Sequence, residues 1–435
     1  MLELIQITKK SYLDYNKCWW FKIQAIKLDD NVYWVGANVH TEDLFEGIWP
    51  IPNGVALNSY VIKGDKIAII ELVREWAGAS HILLENLKSI PINVEDIDYI
   101  VLNHLEPDHT GFTYLLCLLA PHAEIITTQK GAELVNGFYG MKNNVRVVKT
   151  GDEIDLGQDK KLIFTEIPNV HWPETMVTYE TNSKILFSGD AFGAFGVHQG
   201  SIFADEIPDS QKLYWEEETL RYYANIISMF STSVLKAIDS LKEFDIKTVA
   251  PSHGLIWRDN SDMVIKKYSR YANYNQDFAE PEICVVWGSM YGNTEVMLTS
   301  ILRGIASEGV PVSVHRVPND NVSYILSDAY KSAGLIIGTP TYEYEMFPPM
   351  KYFMELLKKK RMRYKKVLFF GSYGWSGGAQ KEFDELSKDM KWDVLEPIVF
   401  RGCPTNEQQK KGEELAAELA SEIKKIPPKI SEDLT

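Results

Sequence analysis

Residues 99–111 read Tyr-Ile-Val-Leu-Asn-His104-Leu105-Glu106-Pro107-Asp108-His109-Thr-Gly. Tyr99–Asn103 is apolar and β-rich and reads as a buried strand. Pro107 and Gly111 both oppose a continuing strand or helix, so the segment after the strand is expected to be a loop. That loop holds four side chains able to bind first-row metals: His104, Glu106, Asp108 and His109. Alternation along extended backbone sends 104, 106 and 108 to one side. One loop can thus offer His and Glu to one metal, and Asp108 and His109 to a second.

A polar loop with incidental histidines is the plainer explanation, and three downstream segments argue against it. Asn-Val-His171-Trp, Phe-Ser-Gly-Asp190-Ala-Phe-Gly and Ala-Pro-Ser-His253-Gly each follow or end an expected strand. The chain has nine histidines, and four of them fall at strand-end loops of one pattern. His40 and His198 are assigned an outer or surface role, His122 is expected to be exposed, and His81 and His315 receive no role.

Around this motif, 32–72 reads as strands with short turns, 79–90 as helix, and 123–127 and 145–149 as strands flanking a helix. Short strands return over 162–188, a long helical region covers 211–244, and Lys-Thr-Val-Ala-Pro-Ser-His-Gly closes the half. A polar, aromatic stretch follows and ends in Asp-Phe-Ala-Glu-Pro-Glu, a linker with its boundary near Pro281. Beyond it strands and helices alternate five times, the pattern of a parallel, doubly wound sheet. The expected divisions are an extension over 1–24, a first domain over 25–280, a second over 281–427 and a polar tail over 428–435.

Three loops of the second half suit a phosphorylated, flat, aromatic ligand. Ser289, Met290, Tyr291, Gly292, Asn293 and Thr294 join the first strand to the first helix. Hydroxyls and backbone N–H groups at a helix start can cradle phosphate without Lys or Arg. Pro340, Thr341 and Tyr342 end the third strand, and Ser372, Tyr373, Gly374, Trp375, Ser376 and Gly377 end the fourth. Small residues beside aromatics allow close backbone approach and ring stacking. No G-x-G-x-x-G with a distal acid is present, which argues against a built-in NAD site.

Bulk properties narrow the class. The 435 residues carry a formal net charge of -15, which disfavours nucleic acid and anionic membrane surfaces as partners. The four cysteines, Cys18, Cys117, Cys284 and Cys403, form no C-x-x-C pair. A rubredoxin or zinc ribbon needs such pairs, and scattered single cysteines fit a reducing cytosol. No apolar run suits a membrane span, and the amino terminus lacks a leader pattern, so a cytoplasmic location is expected.

The metal-binding set resembles the signature of the metallo-β-lactamase fold, an αββα sandwich with its ligands on loops at one edge. The hydrolases of that superfamily usually have His where this chain has Glu106. Glu is the substitution of the lactamase-like domain of flavodiiron proteins. The three carboxylates also favour iron over a thiolate or imidazole-rich zinc site. The second half resembles flavodoxins, which bind FMN through three such loops. Together the halves are similar to flavodiiron proteins over roughly residues 25–425.

That resemblance implies that His104, Glu106 and His171 hold one iron, that Asp108, His109 and His253 hold the other, and that Asp190 bridges them. It also implies FMN on the second domain and reduction of O2 to water, NO to N2O, or both. It further implies a head-to-tail homodimer or dimer of dimers, and a separate electron donor: a rubredoxin, a flavin reductase or reduced deazaflavin. One departure stands out. Where family members carry an outer His, this chain has Glu46, with His40 as the other candidate for that place. Two other readings are a zinc hydrolase with an appended flavodoxin domain and an electron carrier with an inert first half.

Overall fold

A computed structural model describes residues 24–429. The expected extension over 1–24 lies, but for its last residue, outside the described residues, as do the last six residues of the tail.

The first half contains strands β1 (Ile26–Asp29), β2 (Val32–Trp34), β3 (Ala37–Val39), β4 (Val55–Leu57), β5 (Tyr60–Lys63), β6 (Ile67–Ile70), β7 (Ile97–Val101), β8 (Glu124–Thr127) and β9 (Val145–Val147). A second group follows: β10 (Glu153–Gly157), β11 (Lys160–Glu166), β12 (Met176–Glu180), β13 (Ile185–Phe187) and β14 (Thr248–Ala250). Seven strands form one sheet in the order β1-β2-β5-β6-β7-β8-β9, five form another in the order β10-β11-β12-β13-β14, and β3 pairs with β4.

The two large sheets lie face to face. Tyr60, Ile62, Ile70 and Val101 of the first share one apolar cluster with Leu162, Phe164, Met176 and Phe187 of the second. The outer face of the first sheet is covered by helix Ala79–Lys88, whose Leu83 and Leu87 pack with Val61, Ile69 and Ile100. A sheet buried on both faces needs near-continuous apolar strands. Ile-Ala-Ile-Ile of β6 is such a strand, buried throughout.

Strand register places the site. β13 and β14 are parallel, with Phe187 opposite Ala250. Asp190 and His253 each lie three residues past that level (187 + 3 and 250 + 3), so both emerge at one rim.

The second half contains β15 (Glu280–Trp287), β16 (Val312–Arg316), β17 (Ser332–Tyr342), β18 (Glu345–Met346), β19 (Lys366–Tyr373), β20 (Asp393–Val394) and β21 (Ile398–Arg401). Its sheet runs β16-β15-β17-β19-β20, with β21 also on β19 and the short β18 on β17. All pairings except β17–β18 are parallel. Counting β20 and β21 as one interrupted strand, the spatial order is 2-1-3-4-5, the flavodoxin-like arrangement. The expected five-stranded sheet is therefore present, with its fifth strand in two pieces.

The halves are pinned together by polar contacts. Buried Arg221 donates to Ser323 Oγ at 2.9 Å, Asn225 donates to the Ser323 carbonyl at 3.1 Å, and the Lys360 ammonium reaches the Asn225 carbonyl. The region expected to be one long helix is broken. Helix Asp209–Tyr222 passes through a wide turn over Tyr223–Ile227 before helix Ser231–Leu241 begins. Wider helical turns of this kind are frequent at functional sites.

Candidate metal and flavin sites

The 104–109 segment differs from the expected loop. Pro107–Thr110 forms a single helical turn with Pro at its first position. Proline is tolerated there because the first-turn N–H groups have no helical partner, and its ring fixes φ suitably. The turn explains how adjacent Asp108 and His109 both face the second group.

Four loops at one rim bring the seven side chains together in two groups. His104, Glu106, His171 and Asp190 form one, and Asp108, His109 and His253 the other; all are buried. In the first group, His171 Nε2 is 2.9 Å from Glu106 Oε2 and 3.1 Å from Asp190 Oδ2. His104 Nε2 is 3.8 Å from Glu106 Oε2. In the second, His253 Nε2 is 3.3 Å from Asp108 Oδ2 and 3.0 Å from His109 Nε2. Asp190 Oδ1 lies 3.5 Å from His104 Nε2, 3.0 Å from His109 Nε2 and 3.6 Å from His253 Nε2. One carboxylate thus stands between both groups.

These atoms lack ordinary partners. Both His104 nitrogens, Glu106 Oε2, both Asp108 oxygens, His109 Nδ1 and Asp190 Oδ1 are buried without a hydrogen bond. Buried polar groups are normally satisfied. The Nδ1 atoms of His104 and His109 face Glu71, and the remaining orphans face one another across the pocket, which fits cations as the missing partners. Electrostatics agrees. Burial opposes the charged form of His171, but Glu106 and Asp190 outweigh it and push its pKa up to about 10. Burial likewise opposes charge on His109, yet Asp108 and Asp190 push it up to about 9. Burial would raise Glu106, but His171 and His104 pull it down to about 2. Without a metal, protons take the place of the cation.

An outer layer orients the set. His253 Nδ1 is 2.8 Å from the Ala56 carbonyl. A carbonyl only accepts, so Nδ1 carries the proton and Nε2 is free toward the pocket. Glu71 Oε1 accepts from the Asn103 N–H at 2.6 Å, and its Oε2 lies 3.7 Å from His104 Nδ1. Glu174 accepts from the Leu105 N–H at 2.9 Å. Tyr222 donates its hydroxyl to Asp190 Oδ2 at 2.6 Å. Phe45 and Tyr222 pack against His253, and Phe195 packs against both of them.

Sequence reasoning missed Glu71, Glu174 and Tyr222. A carboxylate ending the apolar run Ile-Ile-Glu71 was the available signal for the first; the other two had none.

Of the outer histidines, His40 is exposed. His198 is buried, with Nε2 on the Gly254 carbonyl at 2.8 Å; burial pushes its pKa down to about 4. Glu46 accepts from Trp49 Nε1 at 2.9 Å. Desolvation, then the Glu106 carboxylate, hold its carboxyl above the usual range. His122 is exposed, and His315 pairs with Asp328 at 2.7 Å.

The three loops of the second half converge at the carboxyl ends of its strands. Ser289 Oγ accepts from the Gly292 N–H at 2.9 Å. Gly292 has φ +90° and open space where a Cβ would stand, and helix Asn293–Glu308 starts directly after it. Thr294 and Ser372 hydroxyls meet at 3.0 Å and tie the first loop to the third. Pro340 is paired in register with Ser372. A cavity of about 370 Å³ borders Thr341, Gly371, Gly377 and Gly378. Tyr291 is 91% exposed and Trp375 73%, leaving aromatic faces open. A helix start, a glycine cradle and unused rings fit a phosphorylated flat ligand.

These features define a metallo-β-lactamase-like domain with a two-metal pocket joined to a flavodoxin-like domain. Residues 55–254 match the family described as ODP family beta lactamase, and residues 285–417 match Flavodoxin. The chain belongs to the flavorubredoxin and flavodiiron protein family. An anaerobic nitric oxide reductase flavorubredoxin of Salmonella arizonae is 36% identical over 376 residues, covering 85% of this chain and 76% of that protein. One from Escherichia coli is 34% identical over 402 residues, covering 91% and 82%.

Among solved structures, rubredoxin oxygen:oxidoreductase of Desulfovibrio gigas is 29% identical with a TM-score of 0.86, covering 92% of this chain and 99% of that one. The flavodiiron protein of Giardia intestinalis is 26% identical, also with a TM-score of 0.86, covering 94% and 98%. Among the described residues no helix is long and apolar enough to cross a membrane.

Proposed function

We propose that this protein reduces O2, NO or both at a buried pair of iron ions supplied with electrons by FMN. The observation that carries the reading is Asp190, whose two oxygens address both groups of ligand atoms at once. His104, Glu106 and His171 would hold one iron, Asp108, His109 and His253 the other, with Asp190 between them. Bound there, the iron pair supplies a redox centre for a diatomic gas, and FMN supplies electrons one or two at a time.

The chain's own residues do the rest. Ala56 holds the proton of His253 on Nδ1. The Tyr222 hydroxyl donates to Asp190 Oδ2, so that carboxylate is fixed before any metal arrives. Glu71 braces the imidazole of His104 from behind. Phe45 and Phe195 exclude water and limit escape of partly reduced oxygen.

Residues 289–294 would take the FMN phosphate, and 340–342 with 372–377 the ring. The division into 25–280 and 281–427 follows these two roles. A head-to-tail homodimer or dimer of dimers would carry the flavin of one copy to the pocket of another; the open rings of Tyr291 and Trp375 support a covered face there. A separate donor, whether rubredoxin, flavin reductase or reduced deazaflavin, would reduce the FMN in the cytoplasm.

The alternative of a zinc hydrolase is disfavoured by Glu106 and by the family of the relatives. Metal and flavin analysis of protein from iron-supplied cells tests the assignment. Two irons and one FMN per chain are expected; two zincs without iron would sink it.

A further inference from the structure

Behind the metal pocket six tyrosines are almost wholly buried: Tyr222, Tyr223, Tyr268, Tyr271, Tyr274 and Tyr330. They form a connected file. Tyr222 is bonded to Asp190, as described. Its ring and the Asp190 backbone both crowd Gly193, at 3.4 Å and 3.1 Å from where a Cβ would stand, and the Gly193 carbonyl accepts from the Tyr268 hydroxyl at 2.8 Å. From Tyr268 the ring centroids step 5.0 Å to Tyr223, 5.5 Å to Tyr271 and 6.0 Å to Tyr274. Tyr330 joins from the second half, 5.7 Å from Tyr223 and 5.8 Å from Tyr274.

Packing alone does not explain this composition. Phenylalanine would fill the same space without burying a hydroxyl, which is costly unless hydrogen-bonded. The choice of acceptors is informative. Tyr222 donates to the carboxylate of Asp190. Tyr271 donates to Glu216 Oε1 at 2.8 Å, and Glu216 is 32% exposed and salt-bridged to Lys267 and Arg270. Tyr274 donates to Glu280 Oε1 at 2.5 Å. A phenol loses an electron readily only when a base takes its proton. The file therefore has a base at its outer end, Glu216, and that base reaches solvent.

We propose that the tyrosine file is a protective electron path, which carries oxidising equivalents from the metal pocket to Tyr271 and Glu216 when electrons from FMN run short. This rests on the gas-reductase reading. Hydrogen peroxide left in the loaded pocket takes two electrons and two protons and becomes two waters. The electrons pass inward along the rings, each drawn in the end from Tyr271, which becomes a neutral radical as its phenolic proton passes to Glu216 Oε1; the two protons that the peroxide takes up come from solvent. A thiol then returns the electron and proton to Tyr271, and two thiols become one disulfide per peroxide.

The test uses the full chain loaded with iron and FMN. With reductant present, O2 and NO consumption is measured first. Reductant is then removed, peroxide is pulsed, and samples are frozen for electron paramagnetic resonance, digested for peptide mass spectrometry, or assayed for surviving activity. Wild type is expected to give a tyrosyl signal and oxidised Tyr271. Tyr268→Phe and Tyr271→Phe should keep turnover under reductant, lose most of that signal, and inactivate several-fold faster in peroxide.

Glu216→Gln keeps every ring and should still lower the radical yield, which separates the path from packing if a Phe variant folds poorly. Tyr60→Phe, a buried tyrosine outside the file, should change nothing. Wild-type protein that consumes neither gas defeats the gas-reductase reading. Normal gas consumption with no radical, or with wild-type radical yield and survival in the file variants, defeats the electron path alone.

Discussion

The two candidate sites are built on opposite principles. The metal pocket is closed, and nearly everything in it is a side chain: seven buried ligand-type groups with an outer layer behind them. The flavin site is open, and much of it is backbone: a glycine cradle, a helix start and rings that stand in solvent. Single residues should therefore matter greatly in the first and modestly in the second.

The largest effect is expected at the group shared by both halves of the pocket. Asp190→Ala should lower metal affinity by more than the roughly 10–100-fold typical of an outer-layer partner, and metal content by elemental analysis reads this. Glu71→Gln should fall within that roughly 10–100-fold range, because it leaves all seven ligand-type groups in place. At the flavin site, Trp375→Ala removes one stacking face. Aromatic contacts contribute ~0.5–1.5 kcal/mol, so FMN binding followed by flavin fluorescence should weaken only about two- to tenfold. A hundredfold loss at Trp375, or none at Asp190, would break the contrast.

The smallest effect is a change of sign with pH. In metal-free protein His171 and His109 are raised to about 10 and about 9, above an ordinary histidine near ~6.5. A raised pKa contributes stability below the unfolded value and loses it as pH climbs through the folded one. Glu106, lowered to about 2, contributes above its unfolded value and loses it as pH falls through the folded one. Metal-free protein should therefore melt highest near pH ~5–6 and lower as pH rises toward 10. Metal binding displaces those same protons, so the gain in melting temperature on adding Fe(II) anaerobically should grow as pH rises from 6 to 8. A gain that shrinks over that range would contradict the account.

The same contrast explains what could be read without coordinates. The seven ligand-type residues are chemically distinctive and follow strands, so Asp190 and His253 could be placed at a rim before their register was known. The flavin loops were readable as type and order, since Gly292 and Gly374 act through backbone that many sequences could supply. Glu71, Glu174 and Tyr222 were not legible. Their partners Asn103, Leu105 and Asp190 are distant in sequence, and only the packing of separate strands, loops and the helix Asp209–Tyr222 joins them. The helical turn at Pro107 was missed because proline and Gly111 read as breakers, although proline suits a first turn. The break at Tyr223–Ile227 was hidden inside one continuous helical pattern.

Gas reduction at the Asp190-centred pocket is tested most directly by reoxidation of the reduced protein. Protein loaded with iron and FMN is reduced anaerobically and mixed with O2 or NO, while flavin absorbance and dissolved gas are followed together. Fast flavin reoxidation with matching gas loss is expected for wild type, and slow reoxidation for the Asp190→Ala variant loaded with FMN. Wild-type flavin that reoxidises no faster than in that variant, under either gas, would contradict it.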